Sequence, residues 1–250
     1  MELLKILSSA IENTNYEDLK VLIHCGKFSR YVFEQNYKQL AIELPIVLDC
    51  AITNDCIDAG KELCELIIYL MEVVTTLPSE SKIIFLRDVV YFSRQIDDCD
   101  MEVRTSIKIA EIFQSNNAFQ SAYRILSEAE TNARERDNLN LVAKLHVAAG
   151  AVSYSEQDFE YATKYFFSAI GLYSSLGIEP PIDVLSNFAT SLMDIGQLKH
   201  AAEIYNDILS NNIETELIQE IYLNLMICYR DLNEWEMVQD IFDKIDISYF

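Results

Sequence analysis

Glycine and proline are both scarce in this chain, six and four residues out of 250, well below an average usage of roughly 7% and 5%. Sandwiches, barrels and doubly wound sheets turn often, and those two residues supply their turns. Long helices joined by short polar links need few of them, so the shortage predicts an all-α fold. Basic residues are also sparse: 19 Lys and Arg stand against 40 Asp and Glu, for a formal net charge of −21. Phosphate backbones are bound by cations that displace counterions, and anionic membrane surfaces attract the same groups. The composition therefore predicts no nucleic acid and no membrane. It either favours basic segments of other proteins or simply keeps the chain in solution. No apolar run is long enough to span a bilayer; the most apolar window, Leu63 to Val74, is broken by Glu65 and Glu72. Met1 to Ala10 lacks the basic start and apolar stretch of a secretory leader, so a cytoplasmic location is expected. Cys25, Cys50, Cys56, Cys64, Cys99 and Cys228 show no short paired spacing and read as small hydrophobes.

What is present is a helical period. Ala122, Ile125, Leu126 and Ala129 fall at i, i+3, i+4 and i+7, the stripe of a helix that buries one face. Polar breaks recur at Ser115–Asn117, Ser155–Asp158, Leu176–Pro181 and Ser210–Thr215. In the first part, helices are expected near 2–13, 16–25, 34–53, 55–76 and 80–97, with Pro45 kinking or breaking the third. Asn54 and Asp55 are expected to cap between the third and fourth. No repeat is legible there.

The second part repeats. Asn117-Ala-Phe-Gln-Ser-Ala122, Gln157-Asp-Phe-Glu-Tyr-Ala162, Gly196-Gln-Leu-Lys-His-Ala201 and Asn233-Glu-Trp-Glu-Met-Val238 align without gaps. Each has a turn-forming or polar residue first, a large apolar residue third, and a small or β-branched one sixth. Four residues on stand Leu126, Phe166, Tyr205 and Phe242; seven on stand Ala129, Ala169, Ile208 and Ile245. Upstream, Ala110, Gly150, Ala189 and Met226 hold one constant offset. Two helices cross closely only where one side contributes little side chain.

This pattern resembles the tetratricopeptide family, whose helix pairs carry a small residue in the first helix and an Ala…aromatic…Ala series in the second. The resemblance covers about residues 101–248. Its register residues 122, 162, 201 and 238 are spaced 40, 39 and 37 apart, against the usual 34, as in the longer-period class that includes kinesin light chain. The chain departs from the pattern in lacking the early first-helix aromatic and the closing proline, and in placing Met226 and Val238 at small-residue positions. The resemblance implies a right-handed α-solenoid of antiparallel helix pairs. The expected organisation is an irregular helical region over 1–100, packed on four repeats over 101–250.

Residues for chemistry are few. His24, His146 and His200 stand in different expected helices without metal-ligand spacing; His146 reads as packed and His200 as solvent-facing. No glycine-rich phosphate loop, H-E-x-x-H or G-x-S-x-G occurs. Asp97-Asp98-Cys99-Asp100 reads as a helix end followed by an N-terminal cap. No enzyme, no metal and no cofactor are expected.

Tetratricopeptide stacks present the first helix of each pair on their inner wall. Carrying the family's groove positions over implies Arg104, Lys108 and Glu111 in the first repeat, and Lys144, Val147, Ala151 and Tyr154 in the second. The third implies Ser186, Asn187, Thr190 and Met193, and the fourth Leu223, Asn224, Ile227 and Arg230. The lysine–asparagine clamp of chaperone-binding members is matched only by Asn187. The stripe Trp235, Val238, Ile241, Phe242 and Ile245 near the end of the chain could serve self-association. The expected function is a scaffold or adaptor subunit of a multiprotein complex, holding a peptide or helix in its groove. The alternatives are an architectural arm of a proteasome-lid or signalosome-like assembly and a peptide-sensing regulator.

Overall fold

A computed structural model describes residues 36–210 and 217–242, together with Lys27, Arg30, Tyr31, Glu34 and Lys244. The helices expected near 2–13 and 16–25, with His24, Cys25 and Ile245, lie outside the described residues. Within them the fold is all-α. The helices are α1 (Tyr37–Thr53), α2 (Ile57–Val73), α3 (Ser79–Gln95), α4 (Cys99–Ser115), α5 (Phe119–Glu135), α6 (Leu139–Ser155), α7 (Phe159–Ser175), α8 (Ile182–Asp194), α9 (Leu198–Ser210), α10 (Ile218–Asp231) and α11 (Trp235–Phe242). The chain divides into two compact units between Ile112 and Phe113.

One turn, used eight times, explains the regular spacing. Asp55, Asp97, Asn117, Asp137, Gln157, Gly177, Gly196 and Asn233 all take positive φ, between 52° and 79°. At each, the next residue's amide donates to the carbonyl five residues before it, at 2.8–3.0 Å, as in Asn138 to Ala133 and Gln197 to Leu192. The left-handed residue's own amide reaches back three, as in Asp137 to Arg134. This is the Schellman closure, which satisfies carbonyls that a helix end leaves open. Glycine enters that conformation freely, and Asn and Asp more readily than most residues. Except at Gly177, where the next helix begins only at Ile182, the residue after the left-handed one leads straight into the next helix. Asp98, Asn138 and Asp158 accept the amides of Met101, Leu141 and Tyr161 at 3.0, 3.2 and 3.2 Å, so the Asp97–Asp100 cluster does hold a helix cap.

In the first unit α1, α2 and α3 pack on one another around Leu44, Val47, Leu48, Ile67, Phe85, Val89 and Phe92, all nearly or wholly buried. Two local expectations are sharpened here. The helix α1 continues through Pro45 without a break. Asn54 does not cap α2: its side-chain amide donates to the Cys50 carbonyl at 2.8 Å, closing the end of α1, while Asp55 takes the left-handed turn. Cys56 opens α2 without a side-chain cap.

In the second unit each helix packs on the next, and α8 also touches α6 and α10. The aligned register is what the packing uses. Phe119, Phe159, Leu198 and Trp235 are the first residues of α5, α7, α9 and α11. Ala122, Ala162 and Ala201 are fully buried, as are Ala129 and Ala169. Gly150 lies against Phe166, where a β-carbon would come within 2.7 Å of the ring. The fourth copy is looser: Met226 and Val238 are half-buried, and Phe242 is 50% exposed where the pattern predicts burial. Phe242 is the last described residue of α11.

Candidate protein-interaction site

The groove positions of the first unit are already engaged. The Arg104 guanidinium pairs with Glu65 of α2 and with Asp100, the latter at 3.1 Å. Lys108 Nζ lies 3.0 Å from Glu72 of α2 and 3.3 Å from Glu111. The hydrogen bond to Glu65 raises the Arg104 pKa. Burial opposes the Lys108 ammonium, but Glu72 and Glu111 outweigh it and hold its pKa above the usual lysine value. The groove positions of the first repeat thus sit in an alternating lattice of acids and bases between α2 and α4. Such half-exposed pairs are each worth at most about 1 kcal/mol, so they neutralise the surface more than they hold it together.

In the second unit, polar bridges link successive first helices. Gln114 Nε2 at the end of α4 donates to Ser155 Oγ at 2.6 Å and to the Ala151 carbonyl at 3.3 Å on α6. The Tyr154 hydroxyl of α6 donates to Asp194 Oδ2 of α8 at 2.6 Å, and its ring meets Phe159 edge-on at 5.1 Å. Burial and the bond to Asp194 push the Tyr154 pKa upward, which keeps the phenol a donor. Thr190 Oγ1 of α8 sits 2.8 Å from the fully buried hydroxyl of Tyr205 on α9, and Asn224 of α10 hydrogen-bonds the same hydroxyl. Burial drives the Tyr205 pKa to about 12. Three helices are therefore joined at one buried oxygen, where an unpaired hydroxyl would be costly.

Of the remaining groove residues Ser186 is buried, while others stay nearer solvent. Asn187 is exposed and Lys144 half-buried. Arg230 is exposed and pairs with Asp231 at 2.7 Å. The structure therefore brings Thr190 and Asn224 together, draws Arg104 and Lys108 into separate ion pairs, and leaves Asn187 at the surface. The buried hydroxyl that gathers Thr190 and Asn224 went unrecognised in the sequence, where Tyr205 reads only as a packing aromatic.

His146 and His200 lie as their positions suggested. His146 is buried, with Nδ1 2.9 Å from Ser168 Oγ and Nε2 3.1 Å from Glu130 Oε1, bridging α7 and α5. Burial alone would raise the Glu130 carboxyl, but Arg134 and His146 hold it below its ordinary value. His200 is exposed beside Gln197. Cys56, Cys64 and Cys228 are buried thiols; burial raises the Cys228 pKa to about 11, which keeps it unreactive. Among the described residues no group of three potential ligands could hold a metal ion, and no helix is long and apolar enough to cross a membrane.

These features define a tetratricopeptide-like helical-repeat protein, a protein-binding scaffold fold. The chain belongs to the SNAP family, the soluble NSF attachment proteins, whose family model matches residues 90–248. No curated protein sequence matches it. Among solved structures, it is similar to apo RapI, with a TM-score of 0.65 at 9% identity over 97% of this chain and 68% of that one. A Rap protein complexed with competence and sporulation factor gives 0.58 at 14% identity over 96% and 71%. A putative kinesin light chain of Podosopora anserina with nearly identical repeats gives 0.57 at 12% identity over 73% and 91%. At these identities the likeness concerns the fold alone.

Proposed function

We propose that this chain is a protein-binding adaptor that holds a segment of another protein along the first helices of its repeats. The observation that carries this reading is the run of polar side chains on α6, α8 and α10, from Lys144 and Tyr154 through Asn187 and Thr190 to Asn224 and Arg230. Bonds to Asp194 and Tyr205 pre-order Tyr154 and Thr190 among them, and pre-ordered groups lose less freedom on binding. The chain's family is named for attachment to NSF, so NSF is the first partner to test. A location in the cytoplasm and membership of a larger complex belong to the same proposal. Trp235 and Phe242, 62% and 50% exposed on α11, are the surface through which a second copy would associate.

The test is titration of purified NSF against the parent and a Lys144→Glu, Asn187→Asp variant at low and moderate salt. Reversal at Arg104 or Lys108 would instead set acids beside Glu65 and Glu72, so those positions are left intact. The expected result is binding weakened at least about tenfold, roughly 1.4 kcal/mol. Unchanged affinity would remove the groove assignment; failure of the parent to bind would remove NSF.

A further inference from the structure

We propose a second docking site, away from the groove residues above, that takes an apolar segment of another protein flanked by lysine or arginine. A cleft of about 460 Å³ opens between the start of α8 and the end of α9, within the range of binding pockets. Its walls are Pro180, Pro181, Ile182 and Leu185 on one side, with Ile204 and Ile208, one turn apart on α9, on the other. Two charged residues line it, Glu179 and Asp207, both exposed and both acidic.

The apolar surface continues beyond the cleft. Phe188, one turn along α8 from Leu185, lies 6.1 Å from the ring of Phe167 on α7, which is 66% exposed. Leu176 and Ile178, in the link that leads to Glu179, are 40% and 43% exposed. Large exposed apolar side chains in one neighbourhood mark interaction surfaces more often than chance placement does.

Charge selects the occupant. A second copy of this chain would bring another net charge of −21 against an acidic rim, and like charges facing each other disfavour that contact. A partner with a cationic side chain beside its apolar anchors satisfies both the walls and the rim. Two prolines hold one wall at a fixed φ, so this part of the site forms before the ligand arrives.

The experiment uses the full chain with labelled isoleucine methyl groups and a panel of short synthetic peptides, each pairing two apolar residues one helical turn apart with flanking arginines. A matched panel carries glutamate in place of arginine. The expected result is saturable shifts at Ile182, Ile204 and Ile208 with the arginine panel, little change at Ile125, and no binding of the glutamate panel. A Glu179→Lys, Asp207→Lys variant with an unchanged melting temperature should bind at least about tenfold more weakly. The proposal is overturned if no arginine peptide moves the three methyls, if both panels bind alike, or if the variant binds like the parent. It is equally overturned if those methyls shift with protein concentration alone, which would make a second copy the occupant.

Discussion

Gly150 on α6 and Phe166 on α7 meet where the two helices pack, the missing β-carbon of one making room for the ring of the other. Replacing Gly150 with alanine gains helix propensity worth about 1 kcal/mol but forces the ring aside. Overpacking costs about 1–3 kcal/mol. Thermal melts should therefore show Gly150→Ala near neutral or mildly destabilised and Gly150→Leu clearly destabilised. Ala162→Leu and Ala201→Leu, at fully buried positions, should lose about 1–3 kcal/mol each. Parent-like melting of all three leucine variants would refute the register.

The eight left-handed turns make an opposite pair of expectations. Gly177→Ala and Gly196→Ala place a β-carbon at φ of 68° and 79° with nothing nearby to obstruct it, so backbone strain alone should cost about 1–2 kcal/mol. Gln157→Gly, at φ of 66°, should relieve strain and raise stability by up to about 1 kcal/mol. Denaturant midpoints compared at constant slope measure both.

Glu102 is 1% exposed and pairs with Arg94 across 2.6 Å. Removing Arg94, itself 35% exposed, takes a cation away from a carboxylate that is almost fully buried, at up to about 3 kcal/mol. Arg94→Met alone should destabilise the first unit strongly. Arg94→Met with Glu102→Met should recover most of the loss, a non-additivity that a double-mutant cycle reads directly.

Asp88 carries the clearest pH signature. Burial, reinforced by the nearby charge of Asp49, pushes its carboxyl up to about 6 from an ordinary 3.8. The folded protein therefore keeps this proton to a higher pH than the unfolded chain does. The stability it contributes is fully present below pH about 4 and is lost as the pH rises through about 6. Asp88→Asn should flatten this slope and stabilise the protein at neutral pH by about 1 kcal/mol, after allowance for partial solvent screening. An unchanged slope between pH 4 and 6 would place the titration elsewhere.

The repeat register was legible because packing imposes residue size at fixed offsets. Asn117, Gln157, Gly196 and Asn233 begin the aligned segments and all take the left-handed turn, and the alanines five residues on are buried in three copies. Of the same turns at Asp55, Asp97, Asp137 and Gly177, three fall at helix boundaries legible in the sequence, and the one at Asp137 went unread. Its hydrogen bonds are made by backbone atoms, and several side chains tolerate the left-handed position, so it leaves only a faint mark on composition.

Sequence by itself determined that this chain is helical, acidic and repetitive, since scarce glycine and proline, charge and apolar periodicity are local properties. Tertiary structure alone decided what the polar residues do. Arg104 meets Glu65, and Lys108 meets Glu72, because α2 and α4 lie side by side, and Thr190 and Asn224 share the Tyr205 hydroxyl because three helices converge there. The apolar cleft between Pro180 and Ile208 likewise exists only once α8 and α9 are packed. A side chain's partner depends on which helix faces it, and that is set by the sum of all the crossings rather than by its neighbours in the chain.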